Sequence, residues 1–210
     1  MSKRRLPLLV ERTLADIYAT QLQMVEAFDQ KTLNTVGAAI TCSEGCSNCC
    51  YHPFFISVAE GIVLYRYLAE NGLWTPSFQK RVEDTRTRTL GTAWGVWLLS
   101  NIPCPLLEND RCVAYEVRPM NCRMTYAISD PEYCHVHKLG EETQQIPRVE
   151  PMKAFRVQEA KLLKRHDLKG VLVPLSEAVL AGEAVVNGTT TLERIEEKFL
   201  MDFAMVAHGS

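Results

Sequence analysis

The eight cysteines of this 210-residue chain fall into two groups that could bind a metal ion or a cluster. The first group consists of Cys42, Cys46, Cys49 and Cys50, and the second consists of Cys104, Cys112, Cys122 and Cys134. Thiolate is the form of cysteine that binds metals, and neighbouring thiolates repel one another unless a cation holds them together. Cysteines that serve only as small buried residues have no reason to cluster. The spacing therefore predicts that all eight cysteines are metal ligands.

The spacing within the groups is typical of both zinc sites and iron–sulfur sites. Cys46 and Cys49 are separated by two residues, as ligands are in zinc knuckles and iron–sulfur loops. Zinc takes four sulfur or nitrogen ligands, whereas a [4Fe–4S] cluster takes four cysteines, often with a distant one that precedes proline, as Cys104 does. We therefore expect an iron–sulfur cluster, most simply [4Fe–4S], or zinc. One shared centre and two separate centres are both open, and with two centres each cysteine group could hold one.

Composition narrows the class of protein. With 47% hydrophobic residues, a chain of this length can bury a full core without crosslinks, and adjacent Cys49 and Cys50 could pair only in strained disulfide geometry. The formal net charge of −2 argues against binding to nucleic acid through phosphate neutralisation.

The longest uncharged stretch, residues 89–107, contains Pro103 and Pro105. We expect it to be a buried helix that runs into a cysteine loop, and we expect no membrane contact.

The N-terminus is basic, but its apolar run over residues 6–10 is short and is followed by Glu11 and Arg12. We therefore expect no signal peptide. Without an export or membrane signal, the reducing cytoplasm is the expected location, where clustered thiols favour metals over disulfides.

Two helices are predicted on either side of the first cysteine group. Apolar residues at helical spacing predict one amphipathic helix from about residue 10 into the mid-thirties. After the cysteines, Ser57 and Glu60 form a capping-box pattern, in which each side chain accepts a hydrogen bond from the other residue's backbone N–H. The helix that begins there is expected to end at Asn71–Gly72, where glycine can adopt a left-handed conformation.

A further helix is predicted to begin at Thr75 and Pro76, with threonine as the N-cap and proline in the first turn. Its apolar positions continue through Leu90, Trp94 and Trp97. We therefore expect the second half of this helix to be deeply buried.

The second cysteine group lies in a segment where helical periodicity stops, from Cys104 to Tyr126. Two short extended pieces around a polar turn predict a β-hairpin there. Three C-terminal helices are predicted at Met152 to Arg165, Leu175 to Val186, and Thr191 to about Val206. The predicted fold is mainly α: a single domain over 1–210, with a cysteine-cluster core over about 40–135, C-terminal helices over about 150–210, and at most a short β-hairpin.

The cysteine motifs closely resemble those of the YkgJ or CxxCxxCC family, a zinc- or iron-chelating cysteine-cluster domain. The first motif is Cys42-x3-Cys46-x2-Cys49-Cys50, followed by a helix with Glu60, and the second runs Cys104-Pro-Leu-Leu-Glu-Asn-Asp-Arg-Cys112-Val-Ala-Tyr115-Glu-Val-Arg118-Pro119-Met-Asn-Cys122-Arg123. The resemblance covers roughly residues 40–135. The family's usual first gap is two residues and here it is three, so Cys46, Cys49 and Cys50 are the firm part of the first motif. The family includes flagellin lysine methylases with an iron–sulfur cluster, so the resemblance also implies a protein lysine methylase as one alternative.

Several other residues are candidates for the surroundings of the cysteines. As motif residues, Arg118 and Arg123 are expected to donate hydrogen bonds to sulfur or to bind an anionic substrate, or else to bond loop carbonyls. Tyr115 is expected either to donate a hydrogen bond near the ligands or to cap a small core. The nearby histidines are substitute ligands at most, and we expect them at the surface or beside the ligands; they are His52, His135 and His137.

Three hypotheses for the function follow from these residues. In the first, the cysteines hold an iron–sulfur cluster or a zinc or iron ion that serves redox chemistry, metal handling or a protein-modifying reaction. In the second, the protein is not an enzyme, and zinc ties the irregular segment to helices that bind a protein partner. In the third, the protein is a lysine-methylase-like enzyme with a protein substrate, although the chain contains no Gly-x-Gly loop of the kind that binds a methyl donor.

Overall fold

The computed structural model describes residues 12–13, 23–35, 39–138, 140, 142–165 and 170–199. The helices are α1 (residues 23–35), α2 (Val58–Glu70), α3 (Pro76–Thr89), α4 (Trp94–Leu99), α5 (Val149–Lys164), α6 (Leu175–Val186) and α7 (residues 192–199). The strands are β1 (Phe55–Ser57), β2 (Leu107–Glu108), β3 (Arg111–Cys112), β4 (Thr125–Ala127), β5 (Gln145–Pro147) and β6 (Leu172–Pro174). The prediction of a mainly α fold is confirmed.

Helices α2 and α6 pack against each other in the centre of the core, and glycine on each helix allows a close approach. A Cβ atom at Gly61 would lie 2.0 Å from the Ala178 carbonyl oxygen, and one at Gly182 would lie 2.5 Å from the Gly61 carbonyl oxygen. Each helix follows a strand directly, and these strands pair antiparallel with Ile56 opposite Val173. The two strand–helix units thus form the scaffold on which the cysteine segment is built.

The predicted capping box at the start of α2 is present. The Ser57 hydroxyl accepts a hydrogen bond from the Glu60 backbone N–H at 3.1 Å, and the Glu60 carboxylate accepts one from the Ser57 N–H at 3.1 Å. Glu60 is fully buried. The cap fixes the residue at which β1 ends and α2 begins.

The predicted helix from Thr75 begins as expected but ends earlier. The Thr75 hydroxyl caps α3, which ends at Thr89, and Gly91 has a φ of +73° before α4 begins as a separate helix. The left-handed backbone at Gly91 breaks the helix, so the apolar residues after it do not share one face. Trp97 is buried, whereas Trp94 is 57% exposed; the expectation of a deeply buried second half was wrong.

The described residues also form three short antiparallel strand pairs. The predicted hairpin is β2–β3, closed by Asn109 and Asp110 with φ of +48° and +60°, the conformation that two-residue hairpin turns require. The pairs β1–β6 and β4–β5 join distant parts of the chain and were not predicted.

Several sequence expectations lie wholly or partly outside the described residues. The predicted N-terminal helix is described only over residues 12–13 and 23–35, and the last C-terminal helix only over residues 192–199. The expectation that there is no signal peptide concerns residues 1–11, which lie outside the described residues. Among the described helices, none has the length and hydrophobicity needed to cross a membrane.

Candidate metal centre

Tight turns bring the thiols of the first cysteine group close together. Gly45 has a φ of +91°, and the Cys46 N–H donates back to the Ser43 carbonyl at 3.1 Å. A short 3₁₀ turn, Asn48–Tyr51, follows, in which the Cys50 N–H donates to the Ser47 carbonyl at 2.8 Å. The local sequence of small and polar residues permits these turns, which hold the cysteines in a compact loop before β1.

The second cysteine group is attached to the first by main-chain contacts. The Cys104 N–H donates to the Cys50 carbonyl at 2.7 Å, which places the two motifs side by side. The β2–β3 hairpin pairs Cys112 with Leu107 and returns Cys112 toward Cys104. Cys122 lies in a 3₁₀ turn, Met120–Arg123, whose position the Glu60 carboxylate fixes through the Met120 N–H at 2.9 Å.

Five thiols from these segments interact electrostatically with one another, and we call them the main thiol group. Its members are Cys49, Cys50, Cys104, Cys112 and Cys122. The Cys50 thiol hydrogen-bonds to Cys49, and its pKa is raised by Cys104 and Cys122. The pKa of Cys122 is raised by Cys104, Cys49 and Cys112. The group therefore draws two thiols from the first sequence motif and three from the second.

The other three thiols lie beside the β4–β5 pair, and we call them the thiol trio: Cys42, Cys46 and Cys134. Cys42 and Cys134 also interact electrostatically with Cys49, so the trio adjoins the main thiol group. The Cys42 sulfur accepts a hydrogen bond from the Ala127 N–H at 3.1 Å, and the Cys134 sulfur accepts one from the Gln145 side-chain amide at 3.3 Å. Cys134 is buried, whereas Cys42 is exposed. Grouping in space thus differs from grouping in sequence, because Cys134 lies with two members of the first motif.

Burial controls the protonation of the main thiol group. Desolvation raises the pKa of Cys104 to about 12 and the pKa of Cys122 well above its ordinary value. Cys49 is the exception: a hydrogen bond from the Cys50 side chain, together with the positive charge of Arg118, lowers its pKa to about 7. Without a metal, most of these thiols keep their protons, and a bound cation would displace them.

The donor set fits a soft metal ion or an iron–sulfur cluster. Thiolates select zinc, copper(I) and iron–sulfur clusters, whereas magnesium and calcium require oxygen ligands. Among the described residues, no three histidine, cysteine, aspartate or glutamate side chains already stand in the arrangement that holds a metal ion. The thiols are neighbours, and a bound ion or cluster would have to draw them into a coordination shell.

The two motif arginines occupy different surroundings. The Arg118 guanidinium stacks over the Tyr115 ring at 3.9 Å, and its positive charge lowers the pKa of Cys49 and opposes the effect of burial on the pKa of Cys112. Arg123 donates to the Arg118 carbonyl at 2.9 Å and to the Glu116 carbonyl at 2.6 Å. Arg123 therefore has the carbonyl-bonding contacts foreseen as the alternative for both arginines, and Arg118 with Tyr115 places a cation beside the main thiol group.

The three histidines near the cysteines differ in exposure, because His52 and His135 are half-buried whereas His137 is exposed. His52 makes a hydrogen bond to the Cys134 main chain, and its Nε2 atom is buried without a hydrogen-bond partner among the described residues. Burial lowers the pKa of His52, so its ring is neutral at pH 7. The rings of Tyr51, His135 and His137 form a short stack, with centroids 5.3 Å and 5.4 Å apart.

A buried polar network that the sequence did not reveal connects the cysteine turn to α5. The Arg156 guanidinium donates to the Glu159 carboxylate at 2.7 Å and to the Asn121 side chain at 2.8 Å, and it lies 3.6 Å from Glu60. The Asn121 amide donates to the Phe55 carbonyl. Asn121 precedes Cys122, so this network positions the turn that carries a member of the main thiol group. In the sequence, the only indication of this network is the charged pair Arg156 and Glu159, which are three residues apart in α5.

Replacing Glu60 with glutamine is expected to lower the free energy of unfolding by about 1–3 kcal/mol, because a buried donor then loses its acceptor. The carboxylate accepts from both the Ser57 N–H and the Met120 N–H, and one oxygen of glutamine is replaced by an NH₂ group that cannot accept. Chemical denaturation measures the change. The control is Glu70→Gln at the exposed end of the same helix, for which we expect less than about 0.5 kcal/mol. Equal effects of the two variants would contradict the role assigned to Glu60.

Comparison with known proteins agrees with the donor set. A family model described as "Putative zinc- or iron-chelating domain" matches residues 41–149, just over half of the chain, and this range contains all eight cysteines. Searches of curated proteins and of solved structures gave no match. The matched range ends where α5 begins, so α6 and β6 lie outside it.

Proposed function

Because the chain belongs to the CxxCxxCC family, we propose that its main thiol group holds an iron–sulfur cluster, most simply of the [4Fe–4S] type, for redox chemistry. The observation that carries this proposal is the convergence of five half-buried thiols from three separate segments, two of which the Cys104–Cys50 main-chain hydrogen bond joins directly. Four cysteines are the ligand set that such a cluster requires. When bound, the cluster would supply one-electron transfer.

The surroundings of the main thiol group suit a redox centre because they combine burial with compensating positive charge. Desolvation disfavours free thiolates at Cys104 and Cys122, so a cationic centre is needed to keep them ionised. Main-chain hydrogen bonds at Leu106 and Ala114 favour the ionised forms of Cys104 and Cys112. Hydrogen bonds to sulfur, burial and nearby charge are the means by which proteins set cluster potentials.

Arg118 has a defined part in this proposal. Its guanidinium is held against the Tyr115 ring and acts electrostatically on Cys49 and Cys112. A fixed positive charge stabilises whichever state of the centre carries more electrons. Arg118 would therefore raise the reduction potential of the bound centre without being a ligand.

A structural zinc site is the second candidate, and the irregular course of the chain favours it. The segments that carry the main thiol group are a hairpin of two-residue strands and several 3₁₀ turns, which have few backbone hydrogen bonds of their own. A zinc ion would crosslink them and contribute directly to folding. In that case the protein would act through its helical surface and not through electron transfer.

Anaerobic purification followed by metal, sulfide and visible-absorption measurements tests the proposal. We expect roughly four iron and four acid-labile sulfide per chain for a [4Fe–4S] centre, with broad visible absorption that dithionite bleaches. Stoichiometric zinc without sulfide would replace the proposal with the structural zinc site. A folded, colourless protein without any metal would contradict both.

A further inference from the structure

We infer that the surface formed by Leu90, Trp94, Val96 and Leu99, which we call the α4 patch, is the contact between two copies of this chain in a symmetric dimer. The patch lies in the uncharged stretch of residues 89–107, and its side chains take no part in the main thiol group. The inference does not depend on which metal or cluster that group holds.

The α4 patch concentrates exposed apolar side chains in one place. Among the described residues, seven large hydrophobic side chains are exposed, and four of them lie within residues 90–99. Leu99 is 68% exposed, Val96 is 61% exposed and Leu90 is 53% exposed. Single exposed hydrophobic residues are common on soluble proteins, whereas a contiguous group of them marks an interaction surface.

Helix α4 holds the patch in a fixed position. The Trp97 side chain is buried and packs against the Phe55 ring, with centroids 5.6 Å apart. The Ser100 hydroxyl donates to the Val96 carbonyl at 2.6 Å, and the 3₁₀ turn Val136–Lys138 lies against the helix. Because this backbone is already ordered, covering the patch has little ordering cost.

The centre of the α4 patch suits contact with its own copy. In a symmetric dimer the same surface is present on both chains, so a charge in its centre would lie close to an identical charge. Residues 89–107 contain no charged side chain. Two copies can therefore meet across the patch without like charges opposing each other.

The charges around the α4 patch favour a second copy over a partner of one charge sign. On one side, α3 carries exposed Arg88 and Asp84, which border the same groove. On the other side, Lys138 of the turn against α4 pairs with Glu132 at 2.6 Å. A strongly acidic or basic protein, or an anionic lipid surface, gains no net attraction from such a rim. A second copy brings cations and anions to both sides of the interface.

The size of the α4 patch predicts a weak dimer. A tryptophan side chain buries about 150–250 Å² when it is covered completely. A standard interface takes about 800 Å² from each partner, so the four side chains supply its apolar centre but not the whole area. We therefore expect the dimer to form in a concentration-dependent way and not to be permanent.

Sedimentation velocity of the full chain, purified without oxygen and kept under a thiol-free reductant, tests the interface. We expect the mass to rise from that of one chain toward that of two as the concentration increases. Because exposed Trp94 becomes covered, the tryptophan emission should shift to shorter wavelengths over the same concentration range. Trp94→Glu and Leu99→Glu each place a charge in an apolar contact, so each should weaken the dimer about 30-fold or more.

Val157→Glu is the matched control, because Val157 is an exposed apolar residue of α5 outside the patch; this variant should dimerise like wild type. Far-UV circular dichroism and metal content should be those of wild type in all three variants. These two measurements separate loss of the dimer from a failure to fold and from a failure of the proposed function.

Three outcomes would overturn the dimer. One is a wild-type chain that stays monomeric at every concentration, and another is a dimer that both Trp94→Glu and Leu99→Glu leave unchanged. The third is a wild-type monomer that sediments with vesicles of equal parts phosphatidylcholine and phosphatidylglycerol and loses this binding in Trp94→Glu, because the patch would then contact lipid. A dimer that persists in a protein without metal would contradict the proposed function alone.

Discussion

Replacing Cys104 with serine is expected to abolish the metal centre that we propose for the main thiol group. Bound iron and sulfide, or bound zinc if zinc is the metal, should fall by about tenfold or more. Removing even the outer partners of metal ligands costs roughly 10–100-fold in affinity, and removing a ligand should cost no less. Serine supplies a hard oxygen in place of a soft sulfur at a position where the thiol is strongly desolvated. Cys122→Ser is expected to have the same effect, because Cys122 interacts with three other members of the group.

Met124→Leu is the control for these two variants. Met124 is buried in the core close to the Cys122 turn, and a volume-conserving change there should cost less than about 1.5 kcal/mol. Metal content, sulfide and the visible spectrum should be those of wild type. If Cys104→Ser and Cys122→Ser kept their full metal content, the main thiol group would not be the metal centre.

Replacing Gly61 with alanine is expected to lower the free energy of unfolding by at least about 3 kcal/mol. The added Cβ would lie 2.0 Å from the Ala178 carbonyl oxygen and 2.4 Å from its carbonyl carbon. These are backbone atoms of α6 and cannot rotate away, so the two helices would have to separate. Gly182→Ala should act in the same direction, since its Cβ would lie within 2.7 Å of three backbone atoms of α2. Chemical denaturation measures both changes.

Gly95→Ala is the matched control for the glycine variants. Gly95 lies within α4, and no atom is found within 4 Å of the Cβ position there. Alanine is a better helix former than glycine, so this variant should be neutral or stabilising by up to about 1 kcal/mol. A Gly61→Ala protein as stable as wild type would show that the close helix contact does not hold the scaffold together.

Local signals in the sequence were sufficient to predict where α2, α3 and α6 begin. The capping box at Ser57 and the threonine cap at Thr75 mark helix starts because neighbouring residues alone satisfy the first backbone N–H groups. The boundaries of α6 agree with prediction, whereas α5 begins at Val149, ahead of the predicted Met152. The predicted start excludes Pro151, but proline is tolerated in the first turn of a helix.

The arrangement of the site depends on contacts that no local pattern encodes. Cys134 joins Cys42 because β4 pairs with β5, and Cys104 joins Cys50 through one main-chain hydrogen bond. The network of Arg156 and Asn121 likewise depends on the packing of α5 beneath the Cys122 turn. The periodicity that continued past Gly91 was misleading, because a single left-handed residue reorients everything that follows it. Cysteine spacing therefore predicted the kind of donor but not which donors meet.

The pairing of β1 with β6 and of α2 with α6 also has a consequence for the order of events during synthesis. The family-matched segment ends at residue 149, but the helix against which α2 packs ends at Val186. At roughly 5–20 residues per second, a ribosome needs about 2 to 7 s to add that stretch. All eight cysteines have been synthesised by then, while the scaffold beneath them is still incomplete. If the cysteines bind a metal as proposed, the centre should therefore assemble only after α6 has been synthesised, and the nascent thiols would have to stay reduced until then.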